Sequence, residues 1–113
     1  MTVIQTEIEF KLPIGYRDAE GTLHREGVMR LATAADEILP LRDPRVASNP
    51  SYLSIIILSR VIVRLGTLDM INTKVIEDMF SVDFNYLQAL YNRINALEEE
   101  NFESGEVLPG RPG

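Results

Sequence analysis

The longest apolar stretch of this chain, Tyr52 to Leu65, is bounded by Asn49-Pro50 on one side and Gly66 on the other and contains only two charges, Arg60 and Arg64. It is too short for a bilayer, which takes about 20 predominantly apolar residues, so protein must cover it. In a chain of 113 residues, the size of one domain, the rest of the sequence must therefore pack around this segment. Asn49 is a favoured helix cap, Pro50 suits the first helical position and Gly66 offers a left-handed stop. The spacing predicts a helix over 50–65 at the centre of the domain. Ile55 to Leu58 would also suit a buried strand, but length and caps decide for helix.

Upstream the pattern is β. Ile8, Phe10 and Leu12 alternate with Glu7, Glu9 and Lys11, the period of a strand with one wet face. Pro13 and Gly15 are expected to end that strand, and Asp18-Ala19-Glu20-Gly21 has turn chemistry. A second strand then returns through Val28-Met29-Arg30-Leu31, which gives a hairpin over about 3–31. An isolated hairpin is marginal in water, so it should lie on the helices or pair with another chain.

Thr33 and Asp36 have capping-box spacing, with Pro40 and Pro44 limiting the helix that follows to about 34–39. Further helices are expected over 73–80, with Val75, Ile76, Met79 and Phe80 on one side, and over 84–100, capped by Ser81 or Asp83. Phe84, Leu87, Leu90, Tyr91, Ile94 and Leu97 make an amphipathic stripe that should pack on the central helix. The expected architecture is one α+β domain over 1–97, a hairpin followed by a small bundle of about four helices, with 98–113 as a flexible acidic tail.

Charge and cysteine content remove several functions. Residues 1–68 carry eight acids and eight bases, whereas residues 69–113 carry nine acids and three bases, so the net −6 of the chain belongs to its last part. No basic stripe of the kind that binds nucleic acid is present. The opening MTVIQTEIEF lacks a basic region followed by an apolar one and does not read as a secretory signal. With no cysteine there is no disulfide framework, thiolate nucleophile or cysteine zinc site.

Candidates for catalysis are few. His24 is the single histidine and reads as an exposed strand residue, without metal-ligand spacing around it. Asp36-Glu37 and Glu77-Asp78 are adjacent carboxylates, but helix neighbours diverge by about 100° and do not converge on one site. The glycines form neither a GxGxxG nor a GxxxxGK[ST] loop. No catalytic residue, cofactor or metal is expected. Arginine outnumbers lysine nine to two, and Arg42-Asp43-Pro44-Arg45 sets charges of both signs in a rigid loop, which suits ion pairs and protein interfaces. Arg60 and Arg64, taken as one helical turn apart, either pair internally with Asp36, Glu37 or Asp43, or face a partner.

The segments Leu23 to Ile38, Pro40 to Val46 and Leu58 to Gly66 resemble a family of small tail assembly proteins from contractile phage tails and extracellular contractile injection systems, which is itself similar to the tail assembly chaperones. Met29-Arg30-Leu31-Ala32-Thr33-Ala34-Ala35-Asp36 occupies the place where those chaperones carry a Leu-Arg-x-Ala-like segment leading to an acid. The resemblance covers about residues 7–97. It implies a non-enzymatic protein that binds the tape-measure protein, or another tail or baseplate component, during assembly. It also implies self-association into an oligomer and a place in the cytoplasm of the bacterial host or producer cell. The alternative is a small structural piece of the tail tube or baseplate, retained in the mature particle. Tyr52, Leu53, Ile56, Met70, Ile71, Met79 and Phe80 are the candidate apolar contacts for such a partner, with Arg42 and Arg45 as candidate charged ones.

Overall fold

In the computed structural model, which describes residues 6–96, the alternating N-terminal segment is a hairpin of β1 (Glu7–Arg17) and β2 (Leu23–Arg30). Ile8 pairs with Met29 and Phe10 with Gly27, which puts Phe10, Leu12 and Met29 inside and leaves Glu7, Glu9 and Lys11 exposed. The sheet thus has one packed and one solvated face, as antiparallel sheets commonly do. The turn forms where its chemistry predicts, since Asp18 Oδ1 accepts the N–H groups of Glu20 and Thr22 at 2.9 Å each.

Pro13 and Gly15 do not end the first strand. Pairing lapses after Lys11 and resumes at Tyr16, opposite His24. Pro13 has no N–H for the ladder, and Gly15 takes φ +116°, a conformation glycine adopts without steric cost. The N–H groups of Ile14 and Gly15 leave the ladder and donate to the Asp83 carboxylate, 2.8 Å each. The strand bends through an irregularity and continues because a remote side chain supplies the missing acceptors.

The central apolar segment is split. α3 (Tyr52–Val61) gives way to β3 (Ile62–Leu65), a third strand antiparallel to β2 in a sheet of order β1-β2-β3. The expected single helix over 50–65 is therefore corrected to a helix and a strand. Ile62 already has extended dihedrals, φ −83° and ψ 109°. The reason is the far edge of β2, whose backbone groups would otherwise face the interior unpaired; Ile62 pairs with Met29 and Leu65 with Gly27. β-branched Ile62 and Val63 fit that role. The hairpin's partner is thus a strand of its own chain. Gly66 is left-handed as expected, φ +56°, but it ends β3 rather than a helix and donates its N–H to the Glu26 carbonyl at 2.7 Å.

Between β2 and α3 lie α1 (Ala34–Ile38), a 3-10 turn over Leu39–Arg42, and α2 (Pro44–Ser48), where a loop was expected. Asp43 starts α2 by accepting the Arg45 N–H at 2.8 Å, with Pro44 at the first helical position. α4 covers only Thr73–Glu77, capped by Asn72, whose Oδ1 accepts the Val75 N–H at 3.1 Å. α5 (Ser81–Asn95) starts before the expected residue 84, and Phe80 holds its N-cap position with no side-chain bond. Neither Ser81 nor Asp83 caps it, because the Asp83 carboxylate is turned to β1. Phe80 accordingly departs from the buried side of α4 and is exposed.

The core lies between the inner sheet face and the helices. Leu12, Met29, Leu58, Val61, Leu65, Ile76 and Leu87 are fully buried there or nearly so, each aliphatic side chain contributing about 1.5–3 kcal/mol relative to exposure. α5 packs chiefly across β1 and also touches α3, burying Leu87, Leu90 and Ile94 of the predicted stripe, with Phe84 and Tyr91 half-buried. α3 itself is less enclosed than its composition implies: Ile56, Leu58 and Val61 are buried, while Ile55 and Ile57 are only half-buried. Ile57 and Ser54 border a shallow cavity of about 80 Å³ shared with Gln88, Tyr91 and Asn92 of α5. The rest of that stripe, Leu97, the end of the helix expected to reach residue 100, and the tail expected over 98–113 lie outside the described residues, as does the start of the hairpin before residue 6.

Candidate functional site

The charged residues that could have done chemistry are used to join elements. Asp36, at the third position of α1, is 2 % exposed and lies between two guanidiniums. Arg30 Nη1 and Nη2 donate to its two carboxylate oxygens at 2.6 and 3.0 Å, and Arg60 Nε donates at 3.0 Å. The Thr33 N–H donates at 2.8 Å, and the Thr33 hydroxyl also reaches the carboxylate, so the capping-box spacing read from sequence is realised. Hydrogen bonding from Arg30, then Thr33 and Arg60, holds the Asp36 carboxyl well below the usual carboxylate range despite its burial. Arg30 also donates to the carbonyls of Leu31 and Arg60. The node locks the end of β2, the start of α1 and the end of α3 together. Asp36 is thus buried at the centre of the node, and Arg60 has the internal role. Arg64 sits in β3 opposite Val28, no longer one helical turn from Arg60.

His24 is likewise buried, 3 % exposed, contrary to the expectation of an exposed strand residue. Its Nε2 is 2.9 Å from Asp18 Oδ2, and its Nδ1 accepts the Thr67 N–H at 3.2 Å, which places the ring proton on Nε2. Both nitrogens are engaged and the ring stacks on Tyr16, so it ties the hairpin turn to the loop after β3. Among the described residues no group of three or more His, Asp or Glu side chains is arranged to hold a metal ion, and no helix is long and apolar enough to cross a membrane.

The residues expected to contact a partner separate into three groups. Ile56 and Met79 are buried in the core, where they cannot present a surface, and they are removed from the candidate set. Tyr52 and Arg45 are brought together, but as an internal joint. Arg45 pairs with Asp43 through Nε and Nη2, donates from Nη1 to Thr73 Oγ1 at 3.1 Å, and lies 4.9 Å from the centre of the Tyr52 ring. The Tyr52 hydroxyl donates to Glu77. This joint connects α2, α3 and α4, and Arg45 draws the half-buried Asp43 carboxyl down to about 2. Leu53 and Ile71 are half-buried beside it. Met70, Phe80 and Arg42 are exposed and remain available.

Sequence reasoning missed the densest group of exposed apolar side chains. Ile38, Leu39 and Leu41 are 58, 44 and 56 % exposed, all within four positions and next to Arg42. Pro40, among them, is buried. The available signal was the brevity of the element, because a two-turn helix interrupted by proline has too little surface to bury four apolar residues at once. Ile14, Leu23, Phe80 and Val82 are also exposed, and Ile14 and Val82 flank the Asp83 junction. No protein-family model, curated protein or solved structure matches the chain.

Proposed function

We propose that this chain is a non-enzymatic assembly chaperone of a contractile tail or injection system, which covers an apolar helical client such as the tape-measure protein until it is built in. The observation that carries this reading is the exposed Ile38-Leu39-Leu41 group with Arg42 at its end. Side chains of that kind, clustered and uncovered on a small domain, mark protein contact sites, and an aliphatic row beside a cation suits the apolar face and acidic flank of an amphipathic helix. The rigidity of its base supports the same reading: the Arg30–Asp36–Arg60 node fixes α1, from which the group projects. The node also falls within the segment that resembles the tail assembly family.

The test is co-expression with a tape-measure protein of a contractile tail or injection system from the same genome, followed by affinity capture. The client is expected to co-purify, and Ile38→Asp with Leu41→Asp is expected to abolish capture at unchanged melting temperature. Mass spectrometry of purified mature particles is expected to find the chain absent. Stoichiometric amounts there would replace the chaperone with a structural component of the tube or baseplate.

A further inference from the structure

β1 lies at the edge of a sheet of order β1-β2-β3, with a strand on one side of it alone. The Leu31 N–H donates to the Thr6 carbonyl at 2.8 Å, and the Gly66 N–H to the Glu26 carbonyl. Backbone groups alternate in direction along an antiparallel strand, so Thr6, Ile8 and Phe10 turn theirs to β2, whereas Glu9 and Lys11 turn theirs outward. Where the ladder lapses, the N–H groups of Ile14 and Gly15 are taken by Asp83. The outward groups of Glu9 and Lys11 have no such partner among the described residues. An open strand edge of this kind is a template for another strand.

The side chains on the edge select which strand. Glu9 and Lys11 are exposed on the wet face and carry opposite charges two positions apart. Laid antiparallel to itself about Phe10, β1 sets Glu9 opposite Lys11 of a second copy on both sides of the two-fold axis. Each such pair exchanges both outward N–H···O bonds and joins opposite charges directly across the ladder. The neighbouring registers each oppose like charges. Pairing about Glu9 sets that carboxylate against itself, and pairing about Ile8 sets Glu7 against Glu9. Pairing about Lys11 sets the ammonium against itself and Glu9 against Pro13, which has no N–H to give.

α5 extends the same surface. Tyr86 lies edge-on to Phe10 with ring centres 6.4 Å apart, while Gln88, Tyr91 and Asn92 border the cavity shared with α3. Because α3 leads directly into β3, at the far side of the sheet, the flank of α5 away from α3 lies along the free edge of β1. Val82 and Ala89, at i−4 and i+3 from Tyr86, share that flank and are exposed. A two-fold axis through Phe10 brings the flanks of two copies together and adds apolar burial to the strand pairing.

We infer that the free edge of β1 is a self-pairing surface: a second copy of this chain adds its β1 antiparallel about Phe10, with Glu9 opposite Lys11, joining two sheets into one. The inference rests on this edge and is independent of the identity of the client.

Sedimentation equilibrium of the full-length chain, with amide hydrogen exchange over the same concentrations, tests it. A dimer is expected, with exchange at Glu9 and Lys11 slowing several-fold as the dimer forms. Glu9→Lys alone and Lys11→Glu alone each set like charges face to face on both sides of the axis and are expected to weaken the dimer about tenfold or more. Glu9→Lys with Lys11→Glu in one chain restores both opposite-charge pairs and is expected to restore dimerisation. Both positions are exposed, so the variants should keep the wild-type circular dichroism. A monomer at every concentration, a dimer whose Glu9 and Lys11 amides exchange as fast as in the monomer, or a double variant weaker than either single one would overturn the inference. The wild-type measurements decide the matter even if a variant fails to fold.

Discussion

Asp83 and Gly15, 68 positions apart, are joined by a buried hydrogen bond of 2.8 Å in which the α5 carboxylate accepts a backbone N–H of β1. With the matching bond from Ile14, it gives two backbone donors an acceptor where the ladder lapses between Lys11 and Tyr16. It also fixes α5 on the sheet.

Asp83→Ala is therefore expected to destabilise the fold by about 2–5 kcal/mol, since two N–H groups lose a charged acceptor. Urea unfolding measures this, and hydrogen exchange at Ile14 and Gly15 should accelerate at the same time. A loss below about 0.5 kcal/mol, the range of an ordinary surface substitution, would mean the bonds do not organise the strand.

Three aspartates are expected to contribute to loss of stability at acid pH, Asp36 most because it is buried while Asp18 and Asp43 are screened by solvent. Arg30 and its neighbours lower Asp36, Arg45 lowers Asp43 to about 2, and the His24 hydrogen bond lowers Asp18. Each folded value lies below the unfolded one near 3.9, so the folded state binds fewer protons there. Their contribution is complete above about pH 5 and is lost as pH falls through the folded values, from about pH 4 to 2 and below. Melting temperature against pH should show this limb, and Asp36→Asn should flatten it most, because that carboxylate alone is buried between two cations.

Tyr91 provides a signal at the alkaline end. Burial, and after it the hydrogen bond to Glu37, raises its phenol well above the usual value. In an ultraviolet titration of the folded protein, a phase later than that of an ordinary tyrosine, which titrates near 10, is expected and should vanish in Tyr91→Phe.

Gly66→Ala is expected to cost more than Gly21→Ala, although both positions have positive φ. A Cβ at Gly66 would lie 2.2 Å from His24 Nδ1, whereas nothing lies within 4 Å of one at Gly21. The turn position should lose about 1 kcal/mol, the left-handed penalty alone. The Gly66 variant should lose more, together with the Thr67–His24 bond, visible as altered His24 ring shifts by NMR.

Ile56 and Met79 supply a check on the revised contact surface. Truncation of either to Ala is expected to lower stability by about 2–5 kcal/mol, while Leu41→Ala leaves it within about 0.5 kcal/mol. Thermal unfolding of the three variants separates core from surface.

Local patterns determined much of this molecule. The alternation of Ile8, Phe10 and Leu12, the Asp18–Gly21 turn, the Thr33–Asp36 pair and the stripe along α5 are each read over a few residues, and each formed as its spacing predicts. The α+β class follows from them. What only the tertiary structure decided are the long-range matters. Whether Ile62 to Leu65 continue a helix or become a strand depends on the open edge of β2, more than thirty residues away in sequence. Whether Asp83 caps its own helix or serves β1 depends on where Gly15 lies, and His24 and Asp36 are buried because Thr67, Arg30 and Arg60 converge on them. The physical reason is common to all of these. Hydrophobic periodicity is a property of neighbours in the chain, whereas a backbone donor, a strand edge or a buried carboxylate must find its partner in space, and nothing in the local sequence says which partner will be there.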